Sequence, residues 1–124
     1  MPPCLITMPS CLQVTPQHAA SMLERYDALY DPVLVAEIGS NALSYATSAM
    51  RLLAEADKRG TGVSGAAAIR ATAAFWIMAK QYIQSDPVRS VTYTMMAKGF
   101  AVNKGQDLWY SDVVALNKLY AALR

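Results

Sequence analysis

Three glycines at Gly60, Gly62 and Gly65 stand in the spacing G-x-G-x-x-G, with Lys58, Arg59 and Arg70 beside them. Glycines so spaced can wrap a phosphate in backbone N–H groups, and flanking cations would neutralise it. A dinucleotide site also needs a β-strand before the glycines and an acid about 20 residues after them. Here the preceding stretch, "RLLAEADKR", is helical in character, and Asp86 precedes Pro87 as a helix cap would. The G-K-[ST] ending of a P-loop is missing too. The stretch is therefore expected to be an interhelical turn, with Gly60 closing one helix and Thr61 or Ser64 capping the next.

Other residues suited to chemistry are few. The single imidazole, His18, lies in the first turn of an expected helix, with no evident nucleophile or orienting acid. Glu24, Asp27 and Asp31 are spaced along a helix end, as solvated carboxylates usually are. Cys4 and Cys11 match no standard zinc spacing and are expected to be reduced thiols. No catalytic residue, metal site or cofactor is expected, and a small enzyme is the minor alternative.

The elements that would carry any site are helices. A chain of 124 residues with 54% apolar and 16% charged side chains supports one core and leaves much apolar surface, some of it suited to a partner. The longest strongly apolar run, Ala71 to Ala79, is far below the about 20 residues of a membrane span. Residues 1–14, "MPPCLITMPSCLQV", read as an extended apolar arm without the basic start of a secretory signal. A cytoplasmic location, or one within a virus particle, follows as the expectation.

Residues 15–124 read as a single all-α bundle of four or five helices. Thr15-Pro16, Asp31-Pro32 and Asp86-Pro87 each offer a cap followed by proline at the first helical position. The expected helices are 16–30, 32–59 with a bend or break at Gly39, 65–85, 87–98 ending at Gly99, and 107–123. The segment "SVTYTMM" is rich in β-branched residues and competes as a strand.

Charge is segregated along the chain. Residues 1–57 hold six acids and two bases, whereas residues 58–106 hold seven bases and only Asp86. Those bases, Lys58, Arg59, Arg70, Lys80, Arg89, Lys98 and Lys104, are the candidate contacts to a nucleic-acid backbone, helped by free N–H groups at the helix start after "GTGVSG". The same dipolar pattern would let the basic side of one copy meet the acidic side of the next. Leu5, Ile6, Trp76, Trp109 and Tyr110 are the candidate interface residues. The expected function is a non-catalytic helical subunit of a larger, nucleoprotein assembly, whose partners are other protein subunits and RNA or DNA bound without sequence specificity, with no membrane. By size and charge alone, the analogues are small helical subunits of RNA-guided CRISPR effector complexes and helical coat or packaging proteins of viruses and phages. The principal alternative is a protein-binding adaptor or inhibitor without nucleic acid.

Overall fold

The computed structural model describes residues 14–26 and 31–123. All three cap-proline pairs start helices. Thr15 Oγ1 accepts the His18 N–H at 3.1 Å, Asp31 Oδ1 accepts those of Val33 and Leu34, and Asp86 Oδ1 accepts that of Arg89. Each oxygen satisfies donors that the first turn would leave open.

The helices are α1 (Pro16–Arg25), α2 (Pro32–Ile38), α3 (Ala42–Arg59), α4 (Gly65–Tyr82), α5 (Pro87–Ala101) and α6 (Tyr110–Ala121). A 3₁₀ turn, Gly39–Asn41, separates α2 from α3, so the rod expected over 32–59 is broken at Gly39. Counting that broken rod once gives five helical segments, all-α as expected. Helices α3, α4, α5 and α6 pack in sequence, and α6 closes the ring on α3, giving an up-down-up-down bundle. Helix α1 lies on α5, and α2 lies across α4.

Helix α4 consequently occupies the centre, and alanine suits it there. Ala68, Ala71, Ala73, Ala74 and Ala79 are buried, and small side chains let helices approach closely. Closeness is measurable between α4 and α5, where the Ser90 hydroxyl donates to the Ala79 carbonyl across 2.6 Å. Larger side chains fill the adjoining layer: Phe75 stacks on Phe100 with ring centroids 5.6 Å apart, and Tyr93 tilts against Phe75 at the same distance.

"SVTYTMM" is helical, within α5. Its β-branched threonines bond back into the helix, Thr92 to the Val88 carbonyl and Thr94 to the Ser90 carbonyl, so neither hydroxyl competes for a strand partner. The expected stop at Gly99 is corrected, because α5 continues to Ala101. Gly99 is a packing position: a Cβ there would lie 2.5 Å from Leu116 Cδ2 of α6. Helix α6 also starts later than expected, at Tyr110, since Asp107 is drawn into the junction described next.

The two loops at one end of the bundle, 60–64 and 102–109, are joined. Val63 and Leu108 form an isolated antiparallel bridge, each N–H donating to the other's carbonyl at 3.2 and 2.8 Å. Gly60 ends α3 with φ +66°, the left-handed cap expected of it. Gly62 and Gly65 have another role. A Cβ on Gly62 would fall 1.9 Å from the Leu108 carbonyl oxygen, and one on Gly65 would fall 2.0 Å from that of Gly105. The glycine spacing is that of a clasp between two loops.

Candidate nucleic-acid interface

The clasp closes the site that the glycines had suggested. The Gly65 N–H, first of α4, donates to Asp107 Oδ1 at 2.8 Å, and Ser64 Oγ accepts the Ala67 N–H at 3.3 Å. A carboxylate from this chain thus stands where a phosphate would have bound. The expectation of backbone donors for nucleic acid at this helix start is therefore corrected. Of the two capping residues considered, Ser64 is the one that caps.

Six of the seven candidate cations face outward. Lys58, Arg59, Arg70, Lys80, Lys98 and Lys104 are exposed, and Arg89 is half-buried. Arg59 Nε lies 3.5 Å from Glu55 in an exposed pair one helical turn apart. Lys80 Nζ sits 5.3 Å from the Trp76 ring centre, and Lys98 Nζ sits 5.4 Å from that of Tyr26. Such exposed contacts are worth about 0.5–1 kcal/mol and leave the ammonium groups able to meet an anion. Among the described residues, no acid lies within ion-pair distance of Lys58, Arg70 or Lys104.

Arg89 differs, because its guanidinium is tied to groups of its own chain. Its guanidinium lies 3.4 Å from Asp86 Oδ2, donates to the Tyr93 hydroxyl and the Leu123 carbonyl at 3.4 and 3.3 Å, and covers the Tyr82 and Tyr93 rings. The hydrogen bond to Tyr93, followed by the Asp86 carboxylate, raises its pKa further. Arg89 holds the start of α5 to the end of α6.

The basic residues do not gather at one point. Lys58, Arg59 and Lys104 lie at the clasp end, whereas Lys80 lies 15 residues along α4 from Gly65, about 22 Å at helical rise. Arg70 stands between them, and Lys98 is on α5.

The aromatic candidates divide. Trp76 is only 8% exposed, so it is corrected from interface to core; α2 covers that side of α4, with Val35 beside the indole. Trp109 is 71% exposed and Tyr110 is exposed as well. The Tyr110 hydroxyl donates to Asp57 Oδ1 at 2.9 Å, placing this pair against the last turn of α3 and next to Lys58. Leu5 and Ile6 lie outside the described residues, as do Cys4, Cys11 and Asp27. His18, Glu24 and Asp31 are exposed. Sequence reasoning missed Asp57 and Asp107, whose partners lie 53 and 42 residues away.

The hydrogen bond to Asp57, with the charge of that carboxylate, pushes the Tyr110 hydroxyl above its ordinary pKa of 10.0. The neutral phenol is the form favoured by folding, so the tie contributes below pH 10 and is lost as pH rises through the raised value. In an alkaline titration at 295 nm, the wild-type minus Tyr110→Phe difference is expected to titrate above pH 10. Asp57→Asn is expected to bring that phenol down to the ordinary range; an unchanged midpoint would mean the bond does not form in solution.

Comparison with protein-family models, with curated proteins and with solved structures returns no match to this chain.

Proposed function

We propose that this domain is a non-catalytic subunit of a nucleoprotein assembly, bound to RNA or DNA through the sugar–phosphate backbone. The observation that carries the reading is the outward presentation of Lys58, Arg59, Arg70, Lys80, Lys98 and Lys104 along the bundle. Lys58, Arg70 and Lys104 are the best placed, because among the described residues none has an acid at ion-pair distance. Their separation suits sequence-independent contact, in which cations release counterions without reading base edges. Analogy of size and charge with small CRISPR effector subunits and with helical coat or packaging proteins remains analogy of class.

Fluorescence anisotropy with random single- and double-stranded oligonucleotides at several salt concentrations tests the reading. Each phosphate neutralised contributes about −0.7 to a log–log salt slope for single strands and about −0.9 for duplex. The Lys58→Ala, Arg70→Ala, Lys104→Ala triple variant is expected to flatten the slope by about 2 to 3 accordingly. Its melting temperature should be unchanged, since all three side chains are exposed. A slope near zero, or no binding by the assembled form, removes nucleic acid from the proposal.

A second reading, a protein-binding adaptor without nucleic acid, is favoured by the large apolar side chains left exposed, led by Val33 at 75%, Trp109 at 71% and Leu43 at 60%. It predicts association with protein at high salt, where backbone binding would fail.

A further inference from the structure

A hollow of about 300 Å³ opens between the start of α2, the first half of α4 and the end of α5. Its size stands at the lower end of the range for small-molecule sites. The walls are apolar, with Leu34 from α2, Ile69 from α4, and Phe100 and Ala101 from α5. Its described lining holds one acid, Asp31, and one base, Lys104. The two do not pair, since among the described residues no carboxylate lies at ion-pair distance from Lys104. Each is fixed by its own element. Asp31 Oδ1 accepts the N–H groups of Val33 and Leu34 at 3.0 and 3.3 Å, which leaves Oδ2 without a hydrogen bond among the described residues. Lys104 has φ +50°, a left-handed conformation that residues other than glycine and asparagine seldom adopt. The turn that imposes it is tied on both sides, by the Lys104 N–H on the Ala101 carbonyl at 2.9 Å and by the Gln106 N–H on the Asn103 carbonyl at 3.0 Å.

We infer that this hollow binds a small zwitterion with an apolar side chain, an α-amino acid of the size of phenylalanine, with its carboxylate on Lys104, its ammonium on Asp31 and its side chain against Leu34 and Ile69. Charge decides the class of ligand. A molecule with a single charge would pair with one of the two groups and face a like charge on the other. A neutral apolar molecule would strip water from both charges and give them nothing in its place. A ligand that carries both signs beside an apolar body meets acid, base and walls together. Ile69 is 42% exposed, so a bound side chain would also remove apolar surface from water. The inference goes beyond the proposed function and stands without it. Lys104 is also among the cations proposed to meet a strand, and a bound amino acid would leave Lys58 and Arg70 for that contact.

Amide NMR spectra of the full chain, titrated with L-phenylalanine, with hydrocinnamate, which lacks the ammonium, and with phenethylamine, which lacks the carboxylate, provide the test. Phenylalanine is expected to shift the amides of Leu34, Ile69, Ala101 and Lys104 with a dissociation constant on the order of 1 mM, which about a dozen non-hydrogen atoms can supply in an open site. Each half-ligand is expected to bind about tenfold more weakly, for the loss of one charge-assisted hydrogen bond. Lys104→Met should weaken phenylalanine to the level of the amine and leave the amine unchanged. Asp31→Asn should weaken phenylalanine to the level of the acid and leave the acid no weaker; asparagine caps a helix as well as aspartate does, so α2 keeps its start. Ala101→Leu narrows the hollow without touching either charge and should abolish binding of all three, the spectrum itself reporting that each variant is folded. No shift at these amides, equal binding of the three ligands, or a charge variant that weakens all three alike overturns the inference. So does tighter binding of thymidylate at the same amides, which would assign the hollow to nucleic acid. Loss of oligonucleotide binding would instead strike only the proposed function.

Discussion

Gly65→Ala is expected to destabilise the domain by about 2–4 kcal/mol, although local rules predict the opposite sign. Gly65 is the first residue of α4, and alanine in a helix is ordinarily favoured over glycine by about 0.5–1 kcal/mol. The added Cβ, however, would fall 2.0 Å from the Gly105 carbonyl oxygen, which is backbone and cannot rotate aside. Opening the two loops to admit it costs about 1–3 kcal/mol as overpacking. Opening also weakens the hydrogen bond from the Gly65 N–H to Asp107, and bonds to charged groups contribute about 1.5–3 kcal/mol. Thermal unfolding should show a fall on the order of 10 °C. Gly62→Ala, against the Leu108 carbonyl oxygen, should behave alike, and the double variant should lose less than the sum, because both open one junction. A melting temperature at or above wild type in Gly65→Ala would show that the clasp is not closed in solution.

The clasp also marks where the sequence stops being legible. Thr15, Asp31 and Asp86 announce their helices because the donors they satisfy lie two or three residues away. In α3 the buried Ala42, Ala49, Leu53 and Ala56 are readable for the same reason, since helical periodicity is local, whereas Leu52, at the edge of that stripe, is 44% exposed. Gly62, Gly65 and Asp107 acquire their roles only when two loops some 42 residues apart come together, so nearest-neighbour reasoning saw a turn and no more. The ties of Arg89 are hidden for the same cause. Its charge is visible in the sequence, but the Leu123 carbonyl that it meets 34 residues on has no signature. Trp76 read as a candidate interface residue, and only the packing of α2 across α4 decides that it is core. Exposure of the other basic side chains followed the general rule that Lys and Arg are seldom buried. Their spread along the bundle required the topology.

Phe75→Ala is expected to cost about 3–5 kcal/mol, the usual range for deleting a fully buried phenyl ring. Phe75 is 0% exposed at the middle of α4, stacked on Phe100 and tilted against Tyr93. The cavity cannot readily collapse, because α4 and α5 are already pinned at close approach by the Ser90 hydroxyl on the Ala79 carbonyl and are lined by alanines. A domain of this kind holds only about 5–15 kcal/mol in all, so the single change removes a large share of its stability. Urea unfolding of Phe75→Ala, Phe100→Ala and the double variant should give a coupling of about 0.5–1.5 kcal/mol for the stacked pair, on top of the area each ring buries. A loss under about 1 kcal/mol for Phe75→Ala would mean that the layer relaxes into the space, contrary to the pinned geometry. The contrast with the surface is the useful part. Phe75→Ala should weaken every binding property in proportion to unfolding, whereas Lys58→Ala or Asp31→Asn should change one binding property at constant melting temperature. Only the second pattern assigns a residue to function.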